Sequence, residues 1–148
     1  MSAQPAGLIE TYRGAIYPWH CDHMGHMNVM WYVGKFDEAT WNLFAEMGIT
    51  ATYLKENGRG MAAVQQNITY KRELLVGATV AVRSAFLEVR EKVARFVHEM
   101  RNAHSGEISA ICVLTGVSMD TRTRRSVPFP ADIIERARKL VRAYELPQ

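Results

Sequence analysis

Cysteine is scarce in this chain: Cys21 and Cys112 are its two cysteines, and they lie in segments of different character. Two such thiols make no disulfide framework and are expected to stay reduced in the cytosol. No apolar stretch approaches the roughly 20 residues that a helix needs to cross a bilayer. Met1 to Gly7 lacks a charged stretch followed by an apolar run, so no export peptide is expected and the location reads as cytoplasmic. Internal repeats and low-complexity tracts are absent. Excess charge is also small, at +3 over 148 residues. That hints at anionic ligands without arguing for nucleic acid. The basic run Arg136, Arg138, Lys139 and Arg142 is interleaved with Glu135 and Glu145, and no nucleic-acid module is recognisable. Neither a nucleic acid nor a membrane is expected as a partner.

What is present is an ordinary globular composition, 48% hydrophobic and 22% charged, and enough chain for one domain over residues 1–148 with a real core. Its centre is the stretch from His20 to Asn28 and the helix that follows. Val29, Tyr32, Phe36, Ala39, Leu43 and Met47 recur at helical spacing, which predicts a helix over Val29–Met47. Asn28 is a favoured N-cap and Gly48 a favoured left-handed stop. Met30, Trp31, Val33, Trp41 and Phe44 make this helix apolar around more than one stripe, so it is expected to be wrapped.

Thr11 to Trp19 reads as a first strand running into a loop. Ile49 to Gly60 is polar and carries Asn57-Gly58, so it reads as a turn. Met61–Tyr70, Thr79–Arg90, Val93–Arg101 and Glu107–Met119 then read as strands. Along the third of these, Ala94, Phe96, His98 and Met100 share one face, with Arg95 and Glu99 on the other. Ile108 to Val117 is apolar on both faces and is expected at the middle of the sheet. Thr121–Pro130 is a basic connection, and Ala131–Tyr144 reads as an Arg-rich closing helix. The fold class is therefore α+β: an antiparallel five-stranded sheet wrapped around one long central helix, with a short C-terminal helix. One sheet face would remain open, and self-association is the usual cover.

His20, Asp22, His23 and His26 invite a metal reading. No second ligand pair follows at suggestive spacing, because His98 falls on a strand and His104 in a turn, so no metal is expected. His98 reads as a core or interface histidine.

The segment Trp19-His20-Cys21-Asp22-His23-Met24-Gly25-His26-Met27-Asn28, with Tyr32 and Phe36-Asp37-Glu38-Ala39 after it, resembles the hotdog-fold acyl-CoA thioesterases of the 4-hydroxybenzoyl-CoA thioesterase type. The shared pattern is an Asp ahead of x-Gly-His-x-Asn, then a Tyr and an acidic-Ala helix stretch. Val127-Pro128-Phe129-Pro130 is similar to the family's segment after the last strand. The resemblance implies that Asp22 is the catalytic carboxylate, as nucleophile or as general base on water. An Asp is ionised at neutral pH, and the adjacent helix start favours the anion further. It also implies an oxyanion site at the backbone amide of Val29, with Asn28 capping the helix and His26 shaping or polarising the site.

For the substrate, Trp19, Met24, Met27 and Tyr32 are candidates around the acyl group, although the methionines could equally fill core gaps. Arg122, Arg124 and Arg125, with Lys71 and Arg72, are candidates for the coenzyme A phosphates. Asp37 and Glu38 read as structural, making ion pairs or hydrogen bonds to a neighbouring chain. The implied activity is hydrolysis of an acyl-CoA to free acid and coenzyme A. No cofactor is implied beyond the coenzyme A of the substrate, and a homodimer or homotetramer is expected. A hotdog dehydratase would need a different helix motif, which is missing. A non-catalytic acyl-CoA binding or regulatory protein is the competing reading.

Overall fold

The computed structural model describes residues 7–147; Met1–Ala6, which carry most of the expectation about an export peptide, and Gln148 lie outside the described residues. The elements are β1 (Ile9–Ala15), a 3-10 turn (Pro18–His20), α1 (Val29–Met47), α2 (Ala51–Asn57), β2 (Arg59–Tyr70), β3 (Thr79–Val89), β4 (Val93–Asn102), β5 (Ile108–Asp120) and α3 (Ala131–Arg138). The strands form one antiparallel sheet in the order β1-β3-β4-β5-β2.

The central helix has the predicted bounds. Asn28 Oδ1 accepts the Met30 N–H at 2.9 Å, and Gly48 takes a φ of +98°, a conformation costly for a side-chain-bearing residue. Tyr32, Phe36, Ala39, Leu43, Phe44 and Met47 are buried against the inner sheet face. Ala94, Phe96, His98 and Met100 meet them from β4, as the alternation predicts. The wrapping is incomplete, however. Met30 remains 63% exposed and Val33 and Trp41 are also exposed, so a second apolar stripe of α1 is left uncovered.

Four expectations are corrected. β1 stops at Ala15, because Pro18 offers no N–H to a ladder and opens the 3-10 turn instead. Ala51–Asn57 is a helix: Thr50 caps it by accepting the Tyr53 N–H at 3.1 Å, and Gly58 ends it with φ +61°. The middle strand is β4, with β5 beside it; β2 closes the sheet beyond β5 and does not pair with β3. β5 is nevertheless apolar on both faces, because Ala110, Cys112 and Leu114 face α1 while Ile111 and Val113 join Ala85 and Val97 on the outside.

The fourth correction concerns the C-terminus. α3 ends at Arg138, and the chain then runs along β3, where β1 reaches only to Ser84. The Arg142 N–H donates to Phe86 O at 2.8 Å, and the Tyr144 hydroxyl donates to Glu99 Oε2 at 2.6 Å. Part of the outer sheet face is thus covered by the chain's own tail, over a buried Glu99–Arg101 ion pair.

His98 is a core histidine. Thr40 Oγ1 spends its proton on Phe36 O at 2.9 Å, so at 2.8 Å it accepts from His98 Nε2–H. Ser84 then donates to His98 Nδ1. A neutral imidazole satisfies both contacts, and burial pushes its pKa down to about 3.

Candidate active site

The loop ahead of α1 folds back on itself. Cys21 and Met27 form an antiparallel bridge, the Gly25 N–H donates to Asp22 O at 3.0 Å, and Gly25 takes a φ of +87°. Its base is tied at two points, by Asn28 N–H to His20 O at 2.9 Å and by Met27 N–H to Leu74 O at 2.8 Å. The second bond sets the loop against the segment that follows β2.

Within this loop the Asp22 carboxylate is held on both oxygens. Oδ1 accepts the Met24 N–H at 2.8 Å, the local turn that Asp side chains favour, and Oδ2 accepts from Asn28 Nδ2 at 2.7 Å. The Asn28 amide, and after it the Met24 N–H, hold the carboxyl below its usual range, so it is an anion at neutral pH. Asn28 therefore has two tasks, since its Oδ1 caps the helix at Met30. The Asn28 carbonyl accepts the Trp31 N–H at 3.0 Å. The Val29 N–H, first in the helix, donates to no group among the described residues, and Val29 is 57% exposed. An ionised carboxylate and an uncommitted helical N–H thus flank Asn28.

The histidines disperse. His20 is buried, its Nδ1 accepts the Tyr17 N–H at 2.9 Å, and burial with the nearby Lys35 charge keeps its pKa low. Its ring meets Trp31 edge-on at 4.7 Å. His26 Nε2 lies 3.5 Å from Glu73 Oε1. Among the described residues, no three His, Cys, Asp or Glu side chains converge as metal ligands would.

His26, Met27, Val29 and Tyr32 line a cavity of about 330 Å³ together with Tyr70, Lys71, Arg72 and Glu73. The structure thus brings Lys71 and Arg72 to the helix start. Tyr32 is buried, with Tyr70 edge-on at 5.1 Å, and burial pushes its phenol up to about 12. Met27 is fully buried beneath the loop as core, while Met24 is exposed at its tip. Trp19 stacks on Tyr17 at 4.5 Å, apart from this cavity. Arg122, Arg124 and Arg125 are not brought to it within one chain. Arg122 and its neighbours follow the Asp120 end of β5, where Asp120 Oδ1 accepts the Arg122 N–H at 2.8 Å. Lys71 and Arg72 bond to Ser109 O at the other end, about 36 Å away at strand rise.

Two contributors escape a reading by pattern. Tyr70 and Glu73 flank the basic pair in sequence, but only the Met27–Leu74 bond reveals that they border the loop. Asp37, expected to make ion pairs or hydrogen bonds to a neighbouring chain, lines a second cavity of about 430 Å³ between α1 and β2.

Residues 16–137 match the thioesterase-like superfamily. A betainyl-CoA thioesterase from Pseudomonas aeruginosa is 27% identical over 139 residues, covering 93% of this chain and 86% of that protein. A Rhizobium meliloti L-carnitine dehydrogenase/betainyl-CoA thioesterase is 24% identical over 95% of this chain, which spans 27% of that longer protein. In fold, a hypothetical protein from Staphylococcus aureus in complex with CoA superposes with a TM-score of 0.87 at 16% identity, covering all of this chain and 94% of that one. A 1,4-dihydroxy-2-naphthoyl-CoA thioesterase from Synechocystis superposes with a TM-score of 0.79 at 15% identity, over 90% of this chain and 98% of that one. With the family matched over most of its length and the sheet-and-helix layout in place, the chain belongs to the thioesterase-like superfamily and is a hotdog-fold thioester hydrolase.

Proposed function

We propose that the protein hydrolyses acyl-CoA thioesters to a free acid and coenzyme A, with Asp22 as the catalytic carboxylate. The observation that carries this is the Asp22 anion, hydrogen-bonded at 2.7 and 2.8 Å and tied directly to the Asn28 cap whose helix presents the uncommitted Val29 N–H. That N–H takes the charge that develops on the thioester oxygen, a contribution worth about 3 kcal/mol where such donors are removed. The carboxylate either attacks the carbonyl carbon, expelling the thiolate and leaving a mixed anhydride for water to open, or deprotonates a water that attacks. Lys71 and Arg72, beside His26, receive the negative part of coenzyme A. Tyr32 packs beneath, and His26 is steered by Glu73.

In this reading residues 1–148 act as one domain and the working unit is a homodimer or a dimer of dimers. β2 is an unpaired edge with exposed Val64, next to the open stripe of α1. A second copy could also bring Arg122, Arg124 and Arg125 to a helix start that their own chain does not reach. Reduced Cys21 and Cys112 accord with a cytoplasmic setting, and no helix among the described residues is long and apolar enough to cross a membrane.

The test is thiol release from short, medium, long and aromatic acyl-CoAs by the native chain and by Asp22→Asn. The native protein cleaves part of the panel, and the folded variant loses about 100-fold or more in kcat. Binding without turnover in the native protein would favour an acyl-CoA binding role, and equal activity in both proteins would remove Asp22 from the chemistry. Single turnover in ¹⁸O-water separates the two roles, since only the anhydride route can label the Asp22 carboxylate.

A further inference from the structure

A recess of about 540 Å³ lies between β1, the 3-10 turn and the first turns of α1. It shares no lining residue with the cavity beside Val29, and the mechanism does not use it. Lys35 on its wall and Asp37 on the open stripe are two residues apart, about 200° around the helix. The recess therefore opens on the β1 side of α1, away from the β2 edge and the stripe beside it.

Lys35 is a buried lysine, 4% exposed. Its ammonium donates to Tyr12 Oη at 2.8 Å and stands 5.0 Å from the centroid of that ring. It makes no other hydrogen bond and no ion pair among the described residues. Glu38 lines the same recess, but it is exposed and forms no ion pair with Lys35. A buried ammonium with one neutral partner is costly unless something balances its charge. The local chain is shaped to hold it there. A side chain on Gly14 would collide with Tyr12 Oη, so the glycine is what lets the tyrosine lie along β1 and meet Lys35.

Two further donors border the same space. Tyr12 Oη accepts from Lys35, which leaves its own proton free to donate. His20, 8% exposed, accepts the Tyr17 N–H on Nδ1, so the neutral ring carries its proton on Nε2. That Nε2–H has no acceptor among the described residues. One ammonium beside a neutral imidazole and a phenol balances a single negative charge, as a carboxylate brings, and not a phosphate dianion. The remaining walls are aromatic. Tyr17 and Trp19 stack at 4.5 Å with their planes 2° apart, both are exposed, and Trp31 meets His20 edge-on. A flat ring extends such a stack better than a puckered aliphatic one.

We propose that this recess is a second ligand site, separate from the Asp22–Val29 centre, for a small planar aromatic monocarboxylate. Its carboxylate meets Lys35, Tyr12 and His20, and its ring lies against the Tyr17–Trp19 stack. The site borders the catalytic loop, since the His20 carbonyl accepts the Asn28 N–H at 2.9 Å.

The experiment is calorimetric titration of the full chain with benzoate, with its neutral isostere benzamide, and with cyclohexanecarboxylate. Benzoate should bind about tenfold or more tighter than benzamide, for want of a charge on the amide. It should also bind severalfold tighter than cyclohexanecarboxylate, which keeps the charge and lacks the flat ring. Lys35→Met should abolish the preference over benzamide, and Trp19→Leu, at an exposed position, should weaken benzoate severalfold. In ¹⁵N spectra of the native chain, benzoate should move the indole N–H signals of Trp19 and Trp31 and leave that of Trp41, which lines the other cavity, in place. No binding, equal binding of benzamide, or shifts at Trp41 alone overturns the proposal, and none of these needs a variant. Unchanged benzoate affinity in a folded Lys35→Met also overturns it. Every reading is of binding without turnover, so the proposal stands or falls independently of the hydrolysis assigned to Asp22.

Discussion

Asn28 Nδ2 donates to Asp22 Oδ2 at 2.7 Å, while the same side chain accepts the Met30 N–H of α1 on its Oδ1 at 2.9 Å. One amide thus couples the geometry of the loop carboxylate to the start of the helix. Asn28→Ser keeps a capping oxygen but has no amide to offer Asp22, whereas Asn28→Ala loses both. The expected outcome is a loss of about 1 kcal/mol of stability in the Ala variant and little in the Ser variant. Both should lose about tenfold or more in kcat/KM. In both, the acidic limb of the pH–rate profile should move up toward the ordinary carboxylate value, because the largest cause of the lowered Asp22 pKa has gone. An unmoved limb in Asn28→Ser would show that the contact does not tune Asp22.

Lys71 and Arg72 stand at the cavity that Val29 and His26 share. Arg72 is paired only loosely with Glu107, at 3.4 Å between exposed groups. Lys71→Ala and Arg72→Ala should each raise KM for an acyl-CoA about 3- to 10-fold with kcat held within about twofold. The difference from the native chain should shrink as salt rises, since exposed charge pairs are screened within about 10 Å at 0.1 M ionic strength. Steady-state kinetics at two salt concentrations checks both statements.

His98 is buried as a neutral imidazole with its pKa lowered to about 3 from an ordinary 6.5. A folded-state pKa below the unfolded one means that the unfolded chain binds the extra proton. The stability it supports is fully present above about pH 6.5 and is lost as pH falls from there toward 3. The slope contributed is at most about 1.4 kcal/mol per pH unit. Denaturant titrations at pH 7, 6 and 5 should show this decline in the native chain and a flatter one in His98→Gln, which should be less stable at pH 7. Parallel declines would assign the acid sensitivity to other groups.

The Tyr144 hydroxyl donates to Glu99 Oε2 at 2.6 Å, over a carboxylate that is itself buried against Arg101. Burial and the Glu99 contact push the Tyr144 phenol well up, so it stays a donor across the working pH range. Tyr144→Phe leaves a buried charged acceptor short of a partner and should cost about 1–3 kcal/mol. Thermal or denaturant unfolding measures the loss. A neutral substitution would show that the tail does not hold the outer sheet face.

Much of this was legible in one dimension because the signals are local. The α1 bounds follow from a helical period, an Asn cap and a Gly stop within one segment. The faces of β4 follow from alternation. The stretch around Asp22 is also contiguous, and its resemblance to the family's motif, rather than period or alternation, is what implied a role for the carboxylate. α2 was hidden by its polar composition: none of its residues is buried, so it carries no periodic signature, and its Thr50 cap looks like any loop threonine. The tail after Arg138 reads as helix because its residues permit one. Its path is set instead by a Phe86 carbonyl that β1 leaves free.

Residue order alone therefore determined the α+β class, the central helix, and a carboxylate beside a helix start. Each depends on neighbours within a few positions, where backbone sterics and side-chain period act directly. Tertiary structure decided what lies far apart in sequence. It set the strand order, the Met27–Leu74 bond that carries Lys71 and Arg72 to the loop, and the separation of Arg122, Arg124 and Arg125 from them. It also left one stripe of α1 uncovered, with Asp37 inside the cavity that results. Those outcomes depend on which segments pack together, because a side chain's field and hydrogen bonds act through space and carry no trace of sequence distance.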